Sequence, residues 1–564
     1  MKINFLAAAL LLALSACMQT KTPVERGGFK TEYITAERIL WTDGRVCGTQ
    51  KLLKPFCGQV AVTEPEVCTM QKGSAVLLDY GRELHGGLRL TTAIRGDKNP
   101  VRVRVRLGES VSEAMSDVAT STATNEHSLR DFTLELPWLG SIETGNSGFR
   151  FARIDLIEGD NVPFVAIEAK SIIRDLEYLG SFRCSDKRLN EIWNTAAYTV
   201  HLNMQDYVWD GIKRDRLVWI GDMHPEVMTI NTVFGSQDVV RKSLDFVRDG
   251  TGADVWMNGI CSYSMWWLII HRDLFLYTGD LDYLREQHGY MAALLRKIIG
   301  STEGSREAFK EGRFIDWPTS ENPESIHQSL QALCVMTMKA GVQIAEAVGD
   351  EALRKDCASC LERLQEYVPG IPATKQAASF LSLAGLMDPE AAAGAICDEG
   401  AAGFATFTGY YMLEALAKAG RYDEALQIIS DYWGGMLDLG ATSFWEDLNY
   451  ADLAKASRID EFVPEGKYDI HEDGGAYCYE GLRHSLCHGW ASGPAPWMSR
   501  HILGVAPLEP GFAKVRIEPH LGKLDWAEGS FPTPKGVLTV SVCKDASGQL
   551  NVKVKAPKGV KVVK

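Results

Sequence analysis

Acidic side chains are concentrated in the segment YVWDGIKRDRLVWIGDMHPE (207–226). It contains four carboxyl groups and three interleaved cations: Asp210, Asp215, Asp222, Glu226, Lys213, Arg214 and Arg216. Hydrolysis of a glycosidic bond needs one carboxyl group that protonates the leaving oxygen and a second that activates water or attacks carbon. Nearby cations keep some carboxyl groups ionised while burial raises the pKa of others, so these two roles can separate. Trp209 and Trp219 flank the acids, which favours a sugar site over a solvated loop of ion pairs.

Two further loops combine aromatic and acidic residues. RFIDWPTSENPE (313–324) carries Asp316 and Trp317, and GATSFWEDLNY (440–450) carries Trp445 directly before Glu446. Asp447, the next residue, either sets the pKa of Glu446 or faces solvent. Of the 14 tryptophans, 11 lie between residues 181 and 500, so the flat rings that can pack on a sugar are concentrated in the same stretch as the acids.

The hydrophobic pattern divides the chain into three regions that must position these loops. Residues 30–180 alternate apolar and polar side chains, as in VRVRVRLGE (101–109), and predict a β-sandwich. Residues 181–504 carry apolar residues at three- and four-residue steps and predict about a dozen helices, enough for a closed double ring of helical hairpins. Residues 505–564 return to a strand pattern and predict a second β-sandwich. Because loops of paired helices meet at one end of such a ring, we expect the chemistry there.

Composition and motifs argue against several other classes of function. The chain has 564 residues and a net charge of −14, and a surface this acidic repels a phosphate backbone, so no nucleic-acid partner is expected. Neither a P-loop nor a strand-borne GxGxxG is present, so no nucleotide cofactor is expected. His484 and His488 stand four residues apart without a third ligand beside them, so no metal is expected.

The first residues predict export. MKINFLAAALLLALSAC has one lysine, an apolar run too short to span a bilayer and small residues before Cys17. Residues 1–16 are therefore expected to be a lipoprotein signal peptide, Cys17 the lipidated residue and 17–29 a tether. The protein would then be lipid-anchored at the outer membrane or its periplasmic face and would not span it. The alternative is an ordinary signal peptide in which the cysteine is incidental.

Several segments together resemble the α-L-rhamnosidases of glycoside hydrolase family 78. DGIKRDRLVWIGD (210–222) is similar to the family's D-C-P-x-R-D-E-R-L-G-W-T-G-D segment, ATSFWEDL (441–448) to its T-x-W-E loop and RFIDW (313–317) to its G-D-W loop. Further similar segments are LLDYGRELHGGLRL (77–90), SFRCSDKRLNEIW (181–193), SLCHGWASGPAPWMSRHILGV (485–505), PGFAKVRIEPHLG (510–522) and WAEGSFPTPKG (526–536). The resemblance covers about residues 75–560.

The resemblance implies an (α/α)6 barrel between β-sandwiches and an inverting, exo-acting enzyme that releases terminal α-L-rhamnose from plant-type glycans or glycosides. It implies that Glu446 is the general base. The sugar subsite would contain Asp210, Arg214, Asp215, Asp222 and Asp316 with the aromatic residues Trp219, Trp317 and Trp445, and His488 would contact a hydroxyl.

One departure from the family pattern concerns the general acid. The family has Asp-Glu-Arg where this chain has Asp215-Arg216, so the expected glutamate is missing. Either Asp215 takes the role after a one-residue shortening of the loop, or Glu226 reaches in from the next turn. Two alternative functions follow from this departure: a glycosidase of the same fold with another sugar specificity, and a sugar-binding lipoprotein without catalysis.

Overall fold

The order of secondary structure along the chain is strands, then helices, then strands again. The computed structural model describes residues 28–56, 58–60, 66–96, 98–474 and 481–563. The predicted order of a helical domain between two β-rich regions is confirmed. Cys17, the predicted signal peptide and most of the predicted tether lie outside the described residues. Among the described helices, none is both long and apolar enough to cross a membrane.

The N-terminal β domain, residues 28–174, is built on long antiparallel strands. Its strands are β1 (Phe29–Thr35), β2 (Arg38–Asp43), β3 (Val46–Cys47), β4 (Cys68–Gln71), β5 (Ala75–Thr92), β6 (Arg102–Gly108), β7 (Asp131–Glu135), β8 (Gly140–Glu158) and β9 (Asn161–Arg174). They are hydrogen-bonded in the order β3-β4-β9-β5-β8-β6-β7, with β1 beside β9 and β2 beside β5. In β6 the alternate residues Val103, Val105 and Leu107 are buried, as the alternation predicts. A short helix, α1 (Val111–Met115), follows β6 and extends toward the helical domain.

The helical domain begins after β10 (Ser181–Cys184). Its helices are α2 (Lys187–Asn203), α3 (Met223–Val233), α4 (Asp238–Gly250), α5 (Cys261–Thr278), α6 (Leu281–Gly300), α7 (Pro323–Val348), α8 (Glu351–Gln365), α9 (Lys375–Ala384), α10 (Pro389–Cys397), α11 (Gly409–Lys418), α12 (Tyr422–Asp438) and α13 (Pro494–Trp497), which continues into one π-helical turn (Met498–Ile502). The hairpin β11 (Thr302–Glu303) and β12 (Arg306–Glu307) separates α6 from α7. Local signals set many of these ends: Asp280, Asn322 and Asp350 cap N-termini, and Gly279 and Gly349 end helices with positive φ.

Helices in alternate positions of this domain pack on one another. The contacts run from α3 to α5, α7, α9, α11 and α13, and α13 also contacts α3. Helix α3 is buried along its whole length, whereas α4 buries one apolar stripe. A helix that is apolar all round needs protein on every side, while an amphipathic one can face water. Helix α3 therefore lies inside the domain, and α4 has one face toward water.

The C-terminal β domain contains two small sheets. Its strands are β13 (Val505–Pro507), β14 (Lys514–Ile517), β15 (Trp526–Thr533), β16 (Gly536–Lys544), β17 (Leu550–Lys555) and β18 (Lys561–Val563). One sheet has the order β13-β14-β18 and the other the order β10-β15-β16-β17. The predicted helical domain begins at residue 181, and no strand was predicted at that point. Instead, Ser181–Cys184 pairs with residues 527–530 and belongs to the C-terminal sheet.

Candidate active site

The three loops that carry most of the predicted site residues are joined by backbone hydrogen bonds. These loops precede α3, follow α12 and precede α13. The bonds run from Gly489 N to Asp210 O (2.8 Å), from Glu446 N to Ser485 O (2.9 Å) and from His488 N to Phe444 O (2.9 Å). Segments that are distant in sequence are thereby held edge to edge, and their side chains converge on one place.

Glu446 is an ionised carboxylate in a nearly closed environment. Its side chain is 3% exposed, and its Oε2 accepts hydrogen bonds from Arg214 Nη2 (2.8 Å) and Ser485 N (3.2 Å). Burial alone would raise the pKa of this carboxyl group, but the charge of Arg214, followed by that of His488, brings the pKa down to about 2. Glu446 is therefore ready to accept a proton across the whole working range of pH.

Arg214 joins Glu446 to a second carboxylate, that of Asp215. Arg214 Nη1 donates to Asp215 Oδ1 at 2.7 Å while Nη2 holds Glu446, and Nε donates to Arg483 O at 2.6 Å. Because the two nitrogens of one guanidinium are about 2.3 Å apart, the two bound carboxylate oxygens are at most about 8 Å apart. That upper limit includes both the separation of about 5–5.5 Å found in retaining enzymes and the lower part of the range of about 6.5–9.5 Å found in inverting enzymes.

The backbone at Asp215 is held in an uncommon conformation. Asp215 and Arg216 have φ angles of 52° and 56°, which lie in the left-handed region that residues other than glycine rarely adopt. The guanidinium of Arg216 turns away from the site, donates to His127 O and Asn146 O at 3.0 Å each and lies 4.5 Å from the ring of Trp209. These contacts with the N-terminal β domain hold the turn that presents Asp215.

Asp222 lies at the start of α3, with both carboxylate oxygens hydrogen-bonded. Tyr263 OH donates to Oδ1 at 3.0 Å, and His488 Nε2 lies 3.1 Å from Oδ2. Burial raises the pKa of Asp222 although the hydrogen bond from His488 opposes it. Burial would lower the pKa of His488, but Glu446 and Asp222 raise it. The two side chains therefore form a buried hydrogen-bonded pair beside Glu446.

Asp210 closes the loop that carries Arg214 and Asp215. Its Oδ1 accepts a hydrogen bond from Leu217 N at 2.9 Å, and its backbone carbonyl accepts one from Gly489 N. Burial raises the pKa of Asp210 well above its ordinary value, and His488 opposes that rise. Its observed contacts are those of a clamp across the loop.

Glu226, the other predicted candidate for the general acid, lies one turn after Asp222 in α3. It lies within α3, is completely buried, and neither carboxyl oxygen has a hydrogen-bond partner among the described residues. A Cβ atom placed on Gly489 would come 1.6 Å from Glu226 Oε1, so the carboxyl group packs directly against that glycine. Burial, then the charges of Asp222 and Asp210, raise the pKa of Glu226 well above its ordinary value. Glu226 therefore adjoins the site beside Gly489, and its role as general acid stays a prediction.

Two of the three predicted sugar platforms are partly exposed. Trp219 packs edge-on against Tyr263 at 6.1 Å, Tyr263 against Phe314 at 6.3 Å and Phe314 against Trp317 at 5.1 Å, so these rings form one aromatic row. Trp445, in contrast, is completely buried and cannot contact a sugar. The prediction for Trp445 is therefore wrong: its indole is part of the core that supports the Glu446 loop.

Asp316 supports Trp317. Its Oδ1 accepts hydrogen bonds from Thr319 Oγ1 (2.9 Å) and Thr319 N (3.3 Å), and its Oδ2 accepts one from Thr408 Oγ1. Burial raises the pKa of Asp316 to about 6. The carboxyl group caps the short turn Trp317–Thr319 and so orients the indole beside the site.

One residue of the site was not identified from the sequence, and a second was left with two alternatives. Tyr263 donates to Asp222, and the only signal for it was a phenol in the first turn of the apolar helix α5. Asp447 is buried, so the alternative that it faces solvent is wrong. Burial raises its pKa to about 8, and its backbone N–H donates to His484 Nε2 at 3.0 Å. At neutral pH, therefore, a largely protonated acid lies beside the ionised Glu446.

Comparisons with known proteins agree with this architecture. The family described as bacterial alpha-L-rhamnosidase 6 hairpin glycosidase domain matches residues 177–502, and the bacterial alpha-L-rhamnosidase C-terminal domain matches residues 504–563. An alpha-L-rhamnosidase of Alteromonas sp. (strain LOR) is 24% identical over 537 residues, covering 86% of this chain and 55% of the relative. One of Streptomyces avermitilis is 22% identical over 518 residues, covering 85% and 46%. The chain thus spans about half the length of the curated relatives it matches.

Solved structures show the same fold. The GH78 family rhamnosidase of Bacillus sp. GL1 has a TM-score of 0.72 at 21% identity, covering 88% of this chain and 54% of the other. The rhamnosidase of Klebsiella oxytoca with rhamnose bound has a TM-score of 0.66 at 20% identity, covering 84% and 96%. Taken with the two matched domains, which together cover more than half of the sequence, these findings establish that the chain belongs to the bacterial α-L-rhamnosidase six-hairpin glycosidase family.

Proposed function

We propose that this protein is an exo-acting glycoside hydrolase that releases terminal α-L-rhamnose with inversion at the anomeric carbon. The observation that carries the proposal is the pair of carboxylates, Asp215 and Glu446, held on one guanidinium within about 8 Å of each other. A protein that merely binds sugar has little use for converging acids on a shared cation. Membership of a family whose relatives are named α-L-rhamnosidase supports the choice of sugar.

In the proposed reaction Glu446 is the general base and Asp215 the general acid. Water attacks the anomeric carbon and passes a proton to Glu446 while the bond to the leaving oxygen breaks. Asp215, which must enter the step protonated on Oδ2, donates that proton to the leaving oxygen, and Arg214 Nη1 then stabilises the carboxylate that forms. Asp215 suits the second role better than Asp222 does. The side chain of Asp215 is 15% exposed and the Arg214 bond uses Oδ1, whereas both oxygens of the buried Asp222 are engaged.

The tests separate the two roles and the stereochemistry. Wild-type protein should release rhamnose from 4-nitrophenyl α-L-rhamnopyranoside, and proton NMR should show the β anomer first, because inversion changes the configuration once. Glu446→Gln should abolish turnover of every aryl rhamnoside. Asp215→Asn should lose far more activity on poor leaving groups than on 2,4-dinitrophenyl rhamnoside, which needs no protonation. Equal losses on both substrates would refute Asp215 as the acid.

A second candidate is a glycosidase of the same fold that acts on another sugar. The shortened turn at Asp215 and Arg216, where the family pattern has one more acidic residue, favours keeping this alternative. A panel of aryl glycosides distinguishes the two, since each predicts a different best substrate. Binding of oligosaccharide without any product would instead indicate a sugar-binding lipoprotein.

We further propose that the helical domain is an (α/α)6 toroid between two β-sandwiches and that the protein is an exported lipoprotein. The series of contacts from α3 through α13 and back to α3 supports the toroid. The apolar run before Cys17 supports lipidation and a position at the outer membrane or its periplasmic face, where plant-derived glycans arrive. Cys17→Ser should move the protein from the membrane to the soluble fraction and abolish labelling with radioactive palmitate.

A further inference from the structure

Lys213 is a buried cation immediately before Arg214, and its side chain faces away from the sugar site. Its ammonium lies 3.0 Å from Glu109 Oε2, 3.2 Å from Glu113 Oε1 and 3.4 Å from His471 Nε2, and it donates to Leu482 O (3.0 Å) and His484 O (2.9 Å). Glu109, Glu113 and His471 have the spacing of a metal-ligand set. In this protein an ammonium group occupies the position that a cation would take.

The two acids that surround Lys213 belong to the N-terminal β domain. Glu109 follows β6, and Glu113 lies in α1, where its Oε2 accepts a hydrogen bond from Glu109 N at 2.8 Å. In the same cluster Ser110 Oγ lies 2.6 Å from His471 Nδ1. Removing one partner of a buried ion pair leaves an uncompensated charge, so each member of this cluster depends on the others.

Three connections lead from this cluster to the general base. Lys213 is covalently joined to Arg214, which binds Glu446. The carbonyls of Leu482 and His484, which Lys213 holds, flank Arg483, whose own carbonyl accepts a hydrogen bond from Arg214 Nε. Glu446 Oε2 accepts hydrogen bonds from Arg214 and from the backbone N–H of Ser485. Arg214 directly follows Lys213, and Ser485 directly follows His484, whose carbonyl oxygen Lys213 binds.

Glu109 reinforces the same segment. Its Oε2 accepts a hydrogen bond from Leu486 N at 2.8 Å in addition to the contact with Lys213. Burial, followed by repulsion from cations that include Lys213 and Arg214, lowers the pKa of His484 to about 4. The imidazole is therefore neutral, and its Nε2 can accept the hydrogen bond from Asp447 N in the Glu446 loop.

We propose that Lys213 is a positioning residue for the glycosidase reaction, and that Glu109 and Glu113 of the N-terminal β domain fix it. This inference rests on the proposed function, because it assigns the β domain a part in orienting the general base. A misplacement of a catalytic group by about 1 Å can lower a rate about 100-fold.

The test compares Lys213→Met with a control of the same kind. Arg150 is a buried cation like Lys213, but it belongs to the β domain. It forms an ion pair with Asp79 of that domain and reaches the helical domain through an ion pair with Asp460 and a hydrogen bond to Gly440 O. Arg150→Met should therefore lower the melting temperature as Lys213→Met does. Lys213→Met should also lower kcat about 100-fold with a much smaller change in KM. It should move the acid limb of the kcat/KM profile to higher pH, since Arg214 and Ser485 no longer hold Glu446.

Glu109→Gln is a second variant, in which the new side chain has nearly the same shape as the original one. The amide oxygen can still accept the hydrogen bond from Leu486 N, so the fold should persist even if Lys213→Met does not fold. We expect kcat to fall about 10-fold, with the acid limb again at higher pH. An unchanged acid limb and kcat in folded Lys213→Met or Glu109→Gln would overturn the inference, as would the same kinetic losses in Arg150→Met. Wild-type protein inactive on the whole glycoside panel would refute the proposed function instead.

Discussion

Replacing Arg214 by methionine is the most direct test of how Glu446 remains ionised inside the protein. The guanidinium is the strongest influence that lowers the pKa of Glu446 to about 2 against the effect of burial. Without it, the pKa should return to the ordinary value of 4.5 or rise above it, because the carboxyl group stays buried. The increase of about 2.5 or more corresponds to at least about 3.4 kcal/mol in the free energy of ionisation.

The consequence can be measured in the pH dependence of kcat/KM. A base must be unprotonated, so activity falls on the acid side as the pH drops through its pKa in the free enzyme. At pH 4 the wild-type carboxylate is almost fully ionised, whereas at most about a quarter is ionised in Arg214→Met. Measured between pH 3 and 9 on 4-nitrophenyl α-L-rhamnopyranoside, the wild-type profile should show no acid limb down to pH 3, whereas Arg214→Met should show one at about pH 4.5 or above.

Arg216→Met is the control for this experiment. Arg216 lies two residues after Arg214, and its guanidinium donates to His127 O and Asn146 O rather than to Glu446. The profile of Arg216→Met should match the wild-type profile and show no acid limb down to about pH 3. The explanation for the low pKa of Glu446 would be refuted if Arg214→Met, like the wild type, showed no acid limb down to about pH 3.

Three further predictions concern stability and binding. Asp447 has a folded-state pKa of about 8 against an ordinary value of 3.8, so the stability of the protein falls as the pH rises between these values. Asp447→Asn removes this loss. In urea titrations it should raise the free energy of unfolding by a few kcal/mol at pH 8 but little at pH 4. Gly489→Ala should destabilise the protein by about 1–3 kcal/mol because the new methyl group overlaps Glu226, and Glu226→Ala should restore most of that loss in the double variant; an additive loss would contradict this. Trp317→Ala should raise KM about 10-fold with little change in kcat, and an unchanged KM in steady-state assays would exclude Trp317 as a sugar platform.

Much of the architecture follows from local patterns in the sequence. Strand β6 was predictable because Val103, Val105 and Leu107 alternate with arginines, and a two-residue period fits a strand buried on one face. Helix positions followed from three- and four-residue spacing, and the structure adds side-chain caps such as Asp280 and Asn322 at their N-termini. Strand β10 was not recognised, because its partner lies at the other end of the chain and four residues carry little signal of their own.

The candidate site was predictable in residue type but less so in orientation. The acids and cations of 207–226 are close in sequence, yet Arg214 faces Glu446 while Lys213 faces Glu109 and Arg216 faces the β domain. The two left-handed residues in this turn change the direction of successive side chains, and neither is a glycine that would have signalled it. The exposure of individual side chains was equally hard to predict from the sequence. Trp445, next to Glu446, is in the core because its burial depends on elements that pack on it from elsewhere in the chain.

The pairing of Ser181 with Ser530 sets an order in which the protein can fold. Their hydroxyl oxygens lie 2.8 Å apart although 349 positions separate them. During synthesis the edge of β10 that pairs with β15 therefore stays unpaired until the whole helical domain and β15 have been made. Closing so long a segment costs entropy before any contact repays it, so the last 60 or so residues should complete a slow step. A chain that ends before β15 would leave an open strand edge beside α2, a surface that favours aggregation.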